Sequence, residues 1–471
     1  MAGGGLVRTL RVKTRRKVGN LGLVTTALGD AGAQIGEITT FRIGHNFTIR
    51  DFQIRVDDDE HLRHTREAVD ALAESEVQLV LNEVEQVHQG GKVRTRSRVD
   101  LSSMPRLLTA YHPGVREIIQ RIDANADDAL LFTSVQRTVA LVTDGSGLLG
   151  MGRVRSRAML PVLEAKAALL ATQAGLNSLP LVLDVQTEDD FVQTVGSLTP
   201  SCGAVLLDAI GAPRGLRVHQ KLSEALDVPV FDDDSDGPAI TILAATMNAV
   251  KRCGLDMERV TIGQIGLGTA GGAISRLIMR YTNRPVLGED VHPGAMSRHV
   301  HNGGKESSLD EIMNTCDVVI ANTGHGGVIS PRLVREGQII LALSDPHPEI
   351  DPYDATLAGA AFSADGHALN KAVAFPGTLL GALAVNARRL DDKMRIAAAR
   401  ALADGASDSD LVPTPLEIDV HAAVASAVAR AARESGAARV AGDVDLSPEV
   451  MLALIRDERS LPLGLPPTDP H

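Results

Sequence analysis

The chain has 471 residues, 44% hydrophobic and 23% charged, enough for two to four domains with sizeable cores. Its net charge of −12 argues against a general nucleic-acid binder, and eight Phe, three Tyr and no Trp leave the cores to aliphatic side chains. Cys202, Cys253 and Cys316 have neither disulfide-framework nor zinc spacing, and neither a membrane-length apolar run nor a signal-peptide core appears, so a cytoplasmic protein without membrane partners is expected.

Residues 1–88 read as a module. LVRTLRVKT (6–14) alternates like a strand, and GNLGLVTTALGDAGA (19–33) has helical spacing. IGEITTFRI and NFTIRDFQIRV form a strand pair across Gly44-His45-Asn46. DEHLRHTREAVDALAES (59–75) follows as a helix and EVQLVLNEV (76–84) as a last strand. The order β-α-β-β-α-β is that of ferredoxin-like folds. With its GNLG helix entry the module resembles an ACT domain, which implies a regulatory unit that binds a small effector. Dimerisation without a ligand is the other reading.

VHQGGKVRTRSRVD (87–100) is a basic linker. From 101 to 232, strands and helices alternate through TVALVTDG, AMLPVLEAKAALLATQAG, LPLVLDV, CGAVLLDAIG and LRVHQKLSEALDVPV. This is the α/β pattern of buried parallel strands. A second α/β unit is expected over 233–440, opening with the helix GPAITILAATMNAVKRCG.

In RVTIGQIGLGTAGGAISRLIMRY (259–281) an apolar strand runs into Gly266-Leu267-Gly268-Thr269-Ala270-Gly271 and on into a helix. That context marks a Rossmann-like dinucleotide site, with Gly266 permitting the turn, Gly268 admitting the pyrophosphate, and the helix start at Thr269 facing the phosphates. Glu289 and Asp290, about 20 residues on, end the next strand, where a carboxylate accepts from ribose hydroxyls and repels a 2′-phosphate. NAD is therefore expected over NADP. Residues 441–471 are expected to hold one short helix and a Pro-rich, partly disordered tail.

Several segments then fall into one order: YHPGV (111–115), VTDGSGLLGMG (142–152), PVLEAKAALL (161–170), AIGAPR (209–214), VFDDDSDGPA (230–239), the glycine turn, LALSDPHPEI (341–350) and AVAFPGTLLGAL (372–383). Together with LVPTPLEIDVHAAVASAVARAA (411–432), this set resembles the malic enzymes, particularly the shorter bacterial type. The resemblance implies a catalytic α/β domain followed by the NAD-binding domain. It also implies NAD-dependent oxidative decarboxylation of malate or a related 2-hydroxy dicarboxylic acid, and a dimer or higher homo-oligomer. It makes Tyr111 the acid that protonates the enol carbon, Lys166 the group that takes the hydroxyl proton, and Asp233 its anchor. Lysine with a lowered pKa suits a base near neutral pH.

The same resemblance implies Mg²⁺ or Mn²⁺ on three carboxylates, a Glu-Asp pair and a later aspartate. Here the pair reads Asp208-Ala209, with Asp234 as the later ligand; Asp232 and Asp236 are replacement ligands or solvated turn residues. The substrate side departs too. Asp345 and Lys371 stand where the family has asparagines, Asn370 is kept, and Arg153, Arg155 and Arg157 are added, to meet anions or to face solvent or an interface. Asp345 repels a carboxylate unless it is protonated, metal-bound or paired with Lys371. These changes suggest a substrate other than L-malate itself, with a different 3-substituent or an amine. The alternatives to the decarboxylase are a non-catalytic NAD- and ligand-binding regulator, and a dehydrogenase without decarboxylation.

Overall fold

The computed structural model describes residues 5–148, 151–440, 442–457 and 463. The chain divides into two compact units, Met1–Arg94 and Thr95–His471. The first contains β1 (Leu6–Arg15), α1 (Asn20–Asp30), β2 (Gln34–Ile43), β3 (Phe47–Val56), α2 (Asp59–Asp70), β4 (Ser75–Leu81) and α3 (Glu83–His88). Its sheet runs β2-β3-β1-β4 with every pair antiparallel, the ferredoxin-like arrangement. Leu10, Val12, Phe52 and Ile54 of the strands meet Val24 and Leu28 of α1 and Val69 of α2 in one core. The Asp58 carboxylate caps α2 by accepting from the His61 amide at 2.8 Å. The expected strand 76–84 stops at Leu81, because the Asn82 side chain accepts from the Glu85 amide and starts α3 instead.

The second unit opens with α4 (Met104–Ala110), α5 (Val115–Ala124) and α6 (Ala129–Phe132), none of which buries a residue. Then follow β5 (Thr138–Thr143), α7 (Leu160–Ala174), β6 (Asn177–Val182), α8 (Glu188–Leu198), β7 (Ala204–Leu207), α9 (Arg214–Ala225) and β8 (Val230–Asp232). These strands form a parallel sheet in the order β6-β5-β7-β8. Next come α10 (Asp236–Arg252), β9 (Ile262–Ile265), α11 (Thr269–Thr282), β10 (Leu287–Glu289), α12 (Pro293–His301), β11 (Lys305–Glu306) and α13 (Leu309–Thr315). The chain continues through β12 (Val318–Ala321), β13 (Ile339–Ala342), α14 (Pro352–Leu357) and β14 (Phe362–Asp365). Four helices close it: α15 (Phe375–Ala384), α16 (Asp392–Gly405), α17 (Ile418–Glu434) and α18 (Pro448–Ile455).

The larger sheet is parallel and runs β11-β10-β9-β12-β13-β14, which is 3-2-1-4-5-6 counted from β9. Its central strands β9, β12 and β13 are buried at every residue, as strands covered on both faces must be. Both sheets share one apolar cluster, from Val139 and Leu206 in the smaller to Val318 and Ile339 in the larger. Between them runs α10, with 13 of its 17 residues buried. Each large aliphatic side chain it buries, such as Ile240, Ile242 and Leu243, contributes roughly 1.5–3 kcal/mol. The start of α10 is thereby held rigidly, and the aspartate motif ends there.

Of the expected tail, α18 is formed. Beyond Asp457 the tail lies outside the described residues apart from Leu463, as do Leu149 and Gly150 of the 142–152 motif. No helix among the described residues is long and apolar enough to cross a membrane.

Candidate active site

Parallel strands deliver their C-terminal ends to one edge of a sheet, where ligand sites collect. Here β7 and β8 are neighbours, so Asp208, just after β7, and Asp233, just after β8, emerge side by side. Helix α7 turns Leu163, Ala167 and Leu170 into the core, which leaves Lys166 on the flank facing those carboxylates. Its Nζ donates to Asp233 Oδ2 at 2.5 Å and lies 2.7 Å from Asp208 Oδ1. The expected Lys166–Asp233 pair is present, and Asp208 joins it.

The charges decide the state of this pocket. Burial alone would pull the Lys166 pKa down, but Asp233 and Asp208 outweigh it and hold the ammonium well above its ordinary value. The resting lysine is thus a cation, contrary to the lowered pKa expected from its role as a base. Burial raises Asp208 despite its contact with Lys166, and the neighbouring Asp233 charge adds to the rise. Burial and the charges of Asp208 and Asp233 push Asp234 to about 6. Three carboxylates therefore face one ammonium, and the buried Asp208 Oδ2 and Asp233 Oδ1 have no hydrogen-bond partner.

That orphaned, net-negative oxygen set fits a hard divalent cation, which needs only one or two protein carboxylates when water or substrate completes its shell. Asp208 and Asp234 would hold such an ion if one were bound. No group of three metal-ligating side chains converges among the described residues. Ala209 is buried at φ 50°, and its amide lies against both the Asp208 and Asp234 carboxylates.

The aspartates weighed as replacements are engaged elsewhere. Asp232 accepts from Ser235 Oγ at 2.7 Å and from the Asp234 amide at 3.2 Å. Asp236 accepts from Arg395 Nε at 2.6 Å and from the Asp232 amide at 3.0 Å, with His219 Nε2 at 3.6 Å. Neither is a solvated turn residue, since both are buried. Arg395 also reaches Asp392, which takes both its oxygens to Arg276 of α11 at 2.8 and 2.9 Å. This buried charge chain had no sequence signature, because its members come from four separated segments.

At the larger sheet, Gly266 has φ +83°, and a Cβ there would stand 2.5 Å from the Asn322 carbonyl oxygen. At Gly271 a Cβ would stand 2.0 Å from the Gly266 oxygen. At Gly268 it would meet nothing within 4 Å, so this backbone faces open space as a phosphate cradle must. Gly268 and Thr269 line a cavity of 860 Å³ that also includes Gly272, Arg276, Arg298 and His301. Ala270 follows in the first turn of α11. Asp290 spends both oxygens on backbone, accepting from Leu267 at 2.6 Å and His292 at 2.7 Å, so it shapes the turn. Glu289, raised by burial and by Asp290, makes no side-chain hydrogen bond or ion pair among the described residues.

Other expected residues are not brought together. Tyr111 ends α4 with 70% exposure and no hydrogen bond to its hydroxyl among the described residues. Asp345 is exposed and pairs with His367 Nε2 at 3.3 Å, not with Lys371. Asn370 accepts from the Ala372 amide at 3.1 Å as a cap, which puts the Lys371 carbonyl 4.0 Å from where a Gly237 Cβ would be. Arg153, Arg155 and Arg157 are exposed.

The sequence model described as "Malic enzyme, N-terminal domain" matches residues 95–194. "NAD-dependent malic enzyme 1" of Bacillus subtilis is 41% identical over 429 residues, spanning 91% of this chain and 98% of its own length. "NAD-dependent malic enzyme" of Geobacillus stearothermophilus is 29% identical over 92% of this chain and 95% of its own. The crystal structure of malic enzyme from Pyrococcus horikoshii superposes with a TM-score of 0.72 at 31% identity, over 78% of this chain and 92% of that one. With Lys166 paired to Asp208 and Asp233 at the edge of the smaller parallel sheet, and with 41% identity to a malic enzyme over nearly the whole length, this chain belongs to the malic enzyme family.

Proposed function

We propose that this protein oxidises L-malate with NAD and decarboxylates it, releasing CO₂ and pyruvate. The observation that carries the reading is the largely buried Lys166 between Asp208 and Asp233, with Asp234 under their charges. The near full-length likeness to NAD-dependent malic enzymes supports malate over a substituted or amine-bearing substrate, and an enzyme over a silent regulator. Asp208 and Asp234 would hold a divalent cation, which would supply polarisation of the C2 oxygen, and the glycine turn would hold NAD, which would supply the hydride acceptor. Lys166 takes the C2 hydroxyl proton, which requires that the pull of its carboxylates first be relaxed. Asp233 keeps its amine aimed, and Tyr111 returns a proton to the enol carbon. Purified protein with L-malate, Mn²⁺ and NAD is expected to form NADH and pyruvate in equal amounts. NADH without pyruvate would leave a plain dehydrogenase, and neither product would sink the reading. Asp234→Ala should raise the Mn²⁺ concentration for half-maximal rate at least about tenfold; an unchanged metal requirement would remove Asp234 as a ligand.

Tyr111 must reach the buried lysine, yet it sits on a segment exposing Met104, Leu108 and Ile119. Exposed apolar side chains on one segment suit an interface. A second copy covering it in a homodimer would bring Tyr111 of one subunit to Lys166 of the other. Co-expressed Tyr111→Phe and Lys166→Ala chains, each inactive alone, are then expected to regain about a quarter of wild-type activity, since half of randomly formed dimers are mixed and each keeps one complete site. No regain would place both residues in one subunit.

The N-terminal unit is read as an ACT-like module that binds a small effector, on its β-α-β-β-α-β order and its β2-β3-β1-β4 sheet.

A further inference from the structure

Glu349 lies beyond β13 and has no exposed surface. Its Oε1 accepts from the Thr323 amide at 2.6 Å, the Thr323 hydroxyl at 2.9 Å and the Ser344 hydroxyl at 2.5 Å. Its Oε2 accepts from the Ser344 amide at 3.2 Å, and the Ser344 hydroxyl in turn accepts from the Gly324 amide at 2.8 Å. One side chain thus ties together the segments that follow β12 and β13, two adjacent strands of the larger sheet. No acidic or basic side chain pairs with it among the described residues; every partner is a neutral donor. A carboxylate is acceptor-only and suits such a ring, whereas an amide of the same shape would turn a donor against donors.

The position of these segments gives the clamp a purpose. In a 3-2-1-4-5-6 sheet the half carrying the glycine turn takes the adenosine end of a dinucleotide, and the other half takes the second nucleotide. β12 and β13 open that other half. The Asn322 carbonyl, next to Thr323, presses against Gly266, so the clamped segment abuts the phosphate turn itself.

We propose that Glu349 is a positioning residue for the nicotinamide half of the cofactor: it holds the Thr323 and Ser344 segments in the register that receives the nicotinamide riboside, without touching the reacting atoms. This rests on the dinucleotide reading above. The test compares NAD with ADP-ribose, which keeps the adenosine and both phosphates but lacks nicotinamide, by calorimetry on the full-length protein. For Glu349→Gln, NAD affinity should fall at least about tenfold and kcat about a hundredfold, with ADP-ribose bound within about twofold of wild type. Equal losses for both ligands, or no loss for either, would overturn the role. Wild-type protein that binds neither ligand would instead overturn the dinucleotide reading. Where Glu349→Gln does not fold, Thr323→Ala should give the same NAD-selective loss and Thr323→Ser, which restores the hydroxyl, should rescue it; failure of that contrast would equally overturn the proposal.

Discussion

Replacing Lys166 by alanine is expected to lower kcat with malate by about three orders of magnitude while leaving NAD affinity unchanged. Among the described residues Lys166 is the one cation in contact with Asp208 and Asp233, at 2.7 and 2.5 Å. Its removal takes away the proton acceptor and leaves the buried Asp208 and half-buried Asp233 carboxylates without their shared cation, so the loss belongs to the chemical step. The glycine turn at Gly266–Gly271 is built by other elements, β9 and α11. Single-turnover NADH formation and NAD titration on the same preparation separate the two. A kcat within tenfold of wild type would remove Lys166 from proton transfer. Parallel losses of rate and NAD affinity would mean that the pocket had collapsed.

The second large effect is on stability. Arg395→Ala is expected to cost about 3–5 kcal/mol, because it strands the Asp236 carboxylate in the interior. Burial alone would raise the Asp236 pKa, yet Arg395 and His219 more than offset it and hold it below the usual carboxylate value. Asp236 and Arg395 are 1% and 6% exposed, so solvent cannot substitute for the lost partner. Urea unfolding provides the measurement, and the double variant Asp236→Leu/Arg395→Leu should recover most of the loss, since no unpaired charge remains. A double variant as unstable as the single would show that shape, not charge, holds α16 against the start of α10.

Much of this molecule was legible in its sequence. The alternation of apolar strands with helices and the glycine turn between β9 and α11 carry local periodicity and backbone requirements that adjacent residues express. The N-terminal order of elements was equally readable, except at residues 82–84, where an asparagine cap overrode an apolar strand pattern. Lys166, Asp208, Asp233 and Asp234 were picked out only through resemblance; in the fold Lys166 contacts Asp208 and Asp233, and the charges of Asp208 and Asp233 act on Asp234.

The acidic run at 232–236 marks the limit of sequence reading. As letters its four aspartates are equivalent, and composition offers no way to separate ligand from ballast. The fold separates them because β8 ends at Asp232 while α10 starts at Asp236, which sends neighbouring side chains in different directions. Asp233 meets Lys166, Asp232 meets Ser235, and Asp236 meets Arg395 from 159 positions away. The Glu349 clamp was hidden in the same way, since Thr323 lies 26 residues before it and carries no motif. Sequence alone determined which elements form and where a cofactor turn lies, because those depend on neighbours along the chain. Only the tertiary structure decided the charge state of Lys166, the exposure of Tyr111 and the partners of each aspartate, because those depend on what distant segments bury together.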